Sequence, residues 1–133
     1  MNLLNGKILA IKMDKIVIIG TGGHARVVID AAIGVGKKVL GLVDTDYQNQ
    51  EESILGVRVL GGFEILSQYD KTKVSVIIAI GDNFKRKEYY LQLKKQGFIS
   101  AKVIHPTAVI SKSATIGEGV FINAGVIINA EAV

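Results

Sequence analysis

The chain has 133 residues, of which 49% are hydrophobic and 21% charged, a balance that excludes an intrinsically disordered protein. The absence of cysteine excludes disulfides, thiolate chemistry and cysteine-ligated zinc, and we expect no metal site. The net charge of +4 comes from dispersed lysines and arginines, so the sequence does not indicate a nucleic-acid-binding surface.

The N-terminal residues MNLLNGKILAIK are too short and too interrupted to be a signal peptide. Met13 is followed at once by a strong strand pattern, so we interpret it as the natural start and residues 1–12 as an upstream extension. We accordingly assign residues 1–13 to an N-terminal extension that precedes the sheet domain. No apolar stretch approaches the roughly 18 residues that a membrane-spanning helix needs. We therefore expect no membrane span and, with the lack of cysteine, a cytoplasmic protein.

The segment KIVII (15–19) is a continuous apolar run that ends at a glycine, as in a buried parallel strand. The turn GTGGHA (20–25) follows it, and residues 23–35 carry apolar side chains at helical spacing. A strand, a glycine-rich turn and a helix N-terminus form the layout of a phosphate-binding loop. The turn also fits the dinucleotide pattern G-x-G-x-x-G/A, with Asp44 near the expected spacing. An NAD site and a simple tight turn both remain open at this point.

The rest of the first 105 residues continues the alternation of strands and helices. Strands are predicted at 37–44, 56–62, 74–80 and 101–105, with a short helix at 63–69 and a longer one at roughly 84–96. This alternation predicts a parallel α/β sheet with right-handed crossovers over residues 14–105.

After residue 105 the pattern changes to a strict period of six. Isoleucine recurs at each sixth position, a small apolar residue or valine stands two positions before each isoleucine, and a small or turn-forming residue follows it. The isoleucines are Ile110, Ile116, Ile122 and Ile128. This period fits neither an α-helix nor a lone strand and is typical of a hexapeptide β-helix, whose branched residues point inward.

The tail offers few inward-facing side chains for the backbone entropy that its ordering costs. About one and a half coils should therefore not be stable alone. The segment must pack on the sheet domain, pack in an oligomer, or continue into further coils. Because the ending NAEAV falls within a repeat, we expect a truncated β-helix over residues 106–133.

With both halves taken together, the chain resembles the sialic acid O-acetyltransferase and nucleotide-sugar N-acetyltransferase family, the NeuD/PglD-like acyltransferases. The resemblance rests on IVIIGTGGHARVVIDAA, LGLVDTD, GVRVLGG, VIIAIGDNFKRKE and the hexapeptide tail, in the order and spacing of the family. It implies a Rossmann-like domain at 14–105 that binds a nucleotide-sugar, usually UDP-linked. It also implies a left-handed β-helix that binds acetyl-CoA, a homotrimer, and a role in surface glycan synthesis.

The resemblance assigns three substrate-binding segments, at the glycine turn, after the second strand, and before the last helix. The residues are Gly22, Gly23, His24, Asp44, Thr45, Gly81, Asp82 and Asn83. The physics of the first segment agrees, because glycines let the backbone approach a phosphate and free amides at a helix N-terminus favour an anion.

The family uses a histidine of the β-helix as general base, which takes a proton from the attacking sugar amine or hydroxyl. This chain has two histidines, and none lies beyond position 105. The resemblance therefore implies the substrate-binding part of a sugar O- or N-acetyltransferase, with no catalytic residue in this chain and most acetyl-CoA contacts in later coils. The alternative is a non-catalytic module that binds a nucleotide or nucleotide-sugar.

Simpler structural roles remain open for several of these residues. Asp44 can be a turn residue, Asn83 a helix cap, and His24 a surface residue at a helix start. Arg86 can be an ordinary surface charge. His105 precedes a proline, which favours an extended structural position at the domain junction.

Overall fold

The computed structural model describes residues 13–133; the proposed extension lies almost entirely outside this range. The first unit is a five-stranded sheet in the order β3-β4-β2-β1-β5, parallel except for β3, which pairs antiparallel with β4. Its strands are β1 (Lys15–Ile19), β2 (Lys38–Val43), β3 (Ser53–Ile54), β4 (Val57–Gly61) and β5 (Ser75–Ile78). The predicted parallel sheet is present, and the two-residue strand β3 is an addition that the sequence pattern did not reveal.

Two α-helices and one 3₁₀ helix accompany the sheet. Helix α1 spans Gly23–Gly34, α2 spans Asn83–Gln96, and the 3₁₀ helix spans Phe63–Gln68, where a short helix was predicted. Alternate residues of β1 enter two separate cores: Ile16 and Ile18 pack with α1, whereas Val17 and Ile19 pack with Leu93 of α2. Both faces of the sheet are therefore covered, which explains the uninterrupted apolar runs of its strands.

The predicted closing strand at 101–105 does not join the sheet as a whole. Only its start does so, since Ser100 bridges Val76 of β5 and the amide of Ala101 donates to the carbonyl of Val76 at 2.7 Å. The chain then leaves the sheet, and β6 (Val103–Ile104) pairs in parallel with β8 (Phe121–Ile122) of the tail. The prediction was wrong here because a short apolar strand has the same sequence pattern in an open sheet and in the wall of a β-helix.

The tail forms the first turns of a parallel β-helix. Strand β7 (Val109–Ile110) pairs with β9 (Ile127–Ile128), and this pairing, like that of β6 with β8, joins positions one coil apart. The predicted inward isoleucines are buried or half-buried, whereas their neighbours Val109 and Ile127 are 61% and 69% exposed. The predicted inward positions of these isoleucines are thus confirmed.

The coil packs directly on the sheet domain. Val103 is fully buried in the same core as α1, and Phe121 packs against that core. At the far side, the Tyr90 hydroxyl of α2 donates a hydrogen bond to the Glu118 carboxylate in a turn of the coil. Of the three sources of stability considered for this short coil, packing on the sheet domain is therefore present in the structure.

We predict that Val28→Thr destabilises the chain by about 1–3 kcal/mol, because it places a hydroxyl in a fully buried position of α1. Val27→Thr is the matched control: it makes the same change at the neighbouring helical position, which is 38% exposed. Its effect should stay within about 0.5 kcal/mol. Urea unfolding followed by circular dichroism measures both, and equal losses would contradict the assigned core face of α1.

Candidate functional site

The turn between β1 and α1 lies against the end of β5. Gly20 has φ +128°, and a Cβ at this position would be 2.4 Å from the carbonyl oxygen of Ala79. Only glycine fits such an approach. The first glycine of the turn therefore serves the packing of the sheet, and this role is separate from any ligand contact.

The next two glycines open α1 toward free space. Gly22 is the N-cap residue and provides no side-chain cap, and no acidic residue follows in the first turn. A Cβ at Gly22 or Gly23 would meet nothing within 4 Å. The amides of this helix start thus lie at an open surface with a favourable dipole for an anion.

A cleft of about 380 Å³ lies at this end of the sheet. It brings together six of the eight residues that the sequence singled out, from three separate segments. Its lining comprises Gly20, Thr21, Gly22, Gly23, His24, Asp44, Thr45, Asp46, Ala79, Ile80, Gly81 and Lys85. The carboxyl ends of the parallel strands β1, β2 and β5 supply these segments, which is where ligands bind in open α/β sheets.

Asp44 follows β2 and organises the loop behind it. One carboxylate oxygen accepts the backbone N–H of Asp46 at 2.9 Å, and the other accepts Gln50 Nε2 at 3.3 Å. The turn role that remained open for Asp44 is therefore real. It does not exclude a ligand contact, because a carboxylate has about four acceptor positions.

The remaining two predicted residues, Asp82 and Asn83, do not line this cleft. Asp82 is the N-cap of α2 and accepts the backbone N–H of Lys85 at 2.9 Å. The cap is thus Asp82, and the cap role considered for Asn83 is wrong. Asn83 lines a neighbouring groove of about 310 Å³ between α2 and the coil. Its side-chain oxygen accepts a hydrogen bond from Arg86.

Arg86 holds the loop before α2. Its guanidinium donates to the carbonyl of Ile80 at 2.9 Å and to that of Gly81 at 3.3 Å, besides the bond to Asn83. Two of these acceptors, Ile80 and Gly81, line the cleft, and the third, Asn83, lines the neighbouring groove. Arg86 is therefore a positioning residue for this loop, and the plain surface charge considered from the sequence is wrong.

His24 lies where the cleft meets the coil. Its ring packs edge-on against Phe121, with ring centroids 5.3 Å apart and an interplanar angle of 80°. Burial lowers the pKa of His24 from the ordinary 6.5, and the positive charge of Arg86 lowers it further. The imidazole is consequently neutral at neutral pH.

His105 has a structural place, as its position before a proline suggested. Its Nδ1 accepts the backbone N–H of Thr107 at 3.1 Å, and its Nε2 lies 3.8 Å from the carboxylate of Asp30 on α1. It thus links the coil to α1 and is not among the residues that line the cleft.

Three polar residues that line the cleft were not among the predicted site residues: Thr21, Asp46 and Lys85. Thr21 and Asp46 are each adjacent in sequence to a predicted site residue. A prediction that included every residue of these two turns would therefore have found them. Lys85 occupies the first turn of a helix, three positions after its cap, and in the sequence it is one of the dispersed lysines that indicate no site.

Two further features, a cluster of metal-binding side chains and a membrane-spanning helix, are absent among residues 13–133. No group of three or more histidine, aspartate or glutamate side chains is arranged to hold a metal ion. In the same range, no helix combines the length and apolar character needed to cross a membrane.

Comparison with known protein families matches residues 15–93, which contain the glycine turn, Asp44 and the loop before α2, to the PglD N-terminal domain. The chain belongs to this family. A comparison with curated protein sequences gives no significant match.

Solved structures similar to this PglD N-terminal domain protein extend the match into the coil. A histidine variant of perosamine N-acetyltransferase from Caulobacter crescentus, in complex with CoA and GDP-perosamine, is 41% identical with a TM-score of 0.81. PerB from the same organism, with the same ligands, is 41% identical with a TM-score of 0.79. Each match covers 88% of this chain and 55% of that chain.

The acetyltransferase domain of PglB from Neisseria gonorrhoeae, in complex with acetyl coenzyme A, is also similar. It is 28% identical with a TM-score of 0.80, and the match covers 89% of this chain and 57% of that chain. These neighbours confirm the fold class, a Rossmann-like sheet domain followed by the first coils of a left-handed parallel β-helix. The chain thus spans little more than half the length of these solved structures.

We predict that His24 titrates below pH 6.5 and that Arg86→Gln moves its pKa upward toward this value, because one of the two causes is removed while burial remains. An NMR titration of the imidazole signals measures the change. Lys87→Gln is the matched control, since it removes the neighbouring cation, which does not act on His24. A pKa of His24 that is the same in both variants would contradict the electrostatic effect of Arg86 on this imidazole.

Proposed function

We propose that this chain is the nucleotide-sugar-binding part of an acetyl-CoA-dependent sugar acetyltransferase that acetylates an amine or a hydroxyl. The observation that carries this proposal is the single cleft that collects the glycine turn, Asp44 and Gly81 in a member of the PglD N-terminal domain family. Two similar structures were solved in complex with CoA and GDP-perosamine, which supports a coenzyme A derivative and a nucleotide-sugar as the ligands of the proposed enzyme.

The diphosphate is assigned to the start of α1. The open positions of Gly22 and Gly23 leave their amides accessible, and each charge-assisted hydrogen bond to a phosphate contributes about 1.5–3 kcal/mol. Gly81 stands on the opposing segment, where a Cβ would also meet nothing within 4 Å. Close backbone approach from both sides thus remains possible for a ligand.

The nucleoside is assigned to Asp44 and Thr45, away from the phosphate-binding amides, because a carboxylate accepts hydrogen bonds from ribose hydroxyls and base N–H groups. The resemblance points to a UDP-sugar, while the similar perosamine enzymes were solved with a GDP-sugar. Both nucleobases therefore enter the test. Asp82 and Asn83 contribute indirectly, through the cap of α2 and the bond to Arg86.

Neither histidine of this chain suits the role of general base. His24 belongs to the nucleotide-binding cleft, and His105 is engaged by Thr107 and lies beside Asp30. Two of the solved perosamine enzymes carry a substituted histidine. We assign the catalytic histidine and most acetyl-CoA contacts to coils that this chain does not contain.

The sheet domain at 14–105 and the coil at 106–133 are proposed as the substrate-binding unit and the start of a hexapeptide-repeat unit. An exposed apolar stripe on one outer face of the coil, formed by the paired residues Val109 and Ile127, supports assembly into a homotrimer. The proposed setting is cytoplasmic synthesis of surface glycans, in keeping with the absence of cysteine.

The test is calorimetric titration of the chain with UDP-N-acetylglucosamine, GDP-mannose and NADH. We predict binding of at least one nucleotide-sugar and none of NADH. Gly23→Val should weaken that binding at least tenfold, because the new side chain occupies the space in which the phosphate meets the amides.

Gly117→Val is the control, because a Cβ at this glycine of the coil also meets nothing within 4 Å and the residue lies outside the cleft. Its affinity should equal that of the unchanged chain. Binding of NADH in preference to both nucleotide-sugars would instead favour the dinucleotide interpretation of the glycine turn.

A further inference from the structure

The first turn of α2 carries charges of the unfavourable sign. Lys85 and Arg86 stand there, Lys87 follows at the start of the next turn, and the first turn has no acidic residue. The N-terminus of a helix bears a partial positive charge, so cations at this end reduce helix stability. Asp82 offsets only part of this cost as the cap. Departures from local rules of this kind concentrate at functional sites.

The three cations have different surroundings. Arg86 is engaged with the loop carbonyls, and Lys87 lines the groove between α2 and the coil. Lys85 alone of the three lines the cleft beside the glycine turn. Among residues 13–133, the Lys85 ammonium makes no hydrogen bond or ion pair, whereas its backbone N–H donates to the Asp82 carboxylate.

The charged side chains that line the cleft indicate a role for Lys85 in binding an anionic ligand. The other charged side chains in the lining are the carboxylates of Asp44 and Asp46, and the imidazole of His24 is neutral at neutral pH. Without Lys85, a dianionic ligand would face two negative side chains and only the partial charge of one helix start. A cation in the cleft offsets these charges, and among the described residues Lys85 is the lysine or arginine that lines it.

We propose that the Lys85 ammonium binds the diphosphate of the nucleotide-sugar together with the amides of Gly22 and Gly23. This inference rests on the proposed function and adds a specific contact to it. Lysine suits the position because its flexible four-carbon stem lets a compact charge follow a phosphate group.

The experiment compares the affinity of the unchanged chain, Lys85→Gln and Lys87→Gln for the nucleotide-sugar that binds, UDP-N-acetylglucosamine or GDP-mannose. Lys85→Gln should weaken binding about tenfold, as expected for the loss of one charge-assisted hydrogen bond. The matched control Lys87→Gln removes the same charge two residues away and should leave the affinity unchanged. Binding of the parent nucleoside, which lacks phosphates, should be equal in all three proteins.

Two further readouts separate a phosphate contact from a structural role. The affinity of the unchanged chain should fall more steeply with added salt than that of Lys85→Gln, because one ion pair is screened in the first and absent from the second. The Lys85→Gln variant should melt at or above the temperature of the unchanged chain, since it removes a cation from the first turn of a helix. Lys85→Arg, which keeps the charge, should retain most of the affinity.

The experiment distinguishes a failure of the proposed function from a failure of the proposed role of Lys85. If the unchanged chain binds neither nucleotide-sugar, the proposed function of the cleft is overturned, and this inference with it. If the chain binds one of them and Lys85→Gln binds it equally well, only the role of Lys85 is overturned. Equal losses in the Lys85→Gln and Lys87→Gln variants would likewise overturn it, because they would indicate a general effect of charge.

Discussion

The close contact between the turn after β1 and the end of β5 is the constraint on which the rest of the site depends. The amide of Ala79 donates to the carbonyl of Ile19 at 2.7 Å, and Gly20 then passes so near to Ala79 that no side chain fits. This contact holds the start of α1 beside the loop that leads to α2. On the other side, the amide of Gly20 donates to Val43 at 2.8 Å, which brings in the end of β2. Three segments distant in sequence thus share one edge.

The coil contributes to the same edge from outside the sheet. Phe121 contacts the ring of His24, and Val103 completes the core around α1. The β-helix start is consequently a structural part of the cleft's surroundings. The environment of His24 depends on it directly, because the packing that desolvates the ring comes partly from the coil.

Neighbouring residues in and after the loop before α2 have different structural roles. Asp82 starts the helix, Arg86 fixes the preceding carbonyls, and Gly81 leaves the cleft side open. The geometry of the loop is fixed by side chains that do not line the cleft, while glycines on two sides of the cleft leave room for close approach to the backbone. Such an arrangement suits an anionic ligand, since backbone amides and a mobile cation can approach it without steric cost.

The alternation of strands and helices, the six-residue period and the grouping of Gly22, Gly23, Asp44 and Gly81 at one edge were all predictable from the sequence. These features follow from local periodicity and from the rule that parallel strands end together. The role of Asn83 and the partner of the strand at 101–105 were not predictable, because a cap and a strand pairing depend on neighbours that the chain supplies from elsewhere.

By itself, the sequence determined which segments form strands, helices and coil walls, since hydrophobic spacing and glycine turns act locally. Only the tertiary structure decided that Lys85 lines the cleft while Lys87 lines the groove, and that Arg86 binds the loop carbonyls. Three consecutive cations are chemically alike in a sequence. Their different roles arise because successive residues of a helix point about 100° apart, toward different neighbours in space.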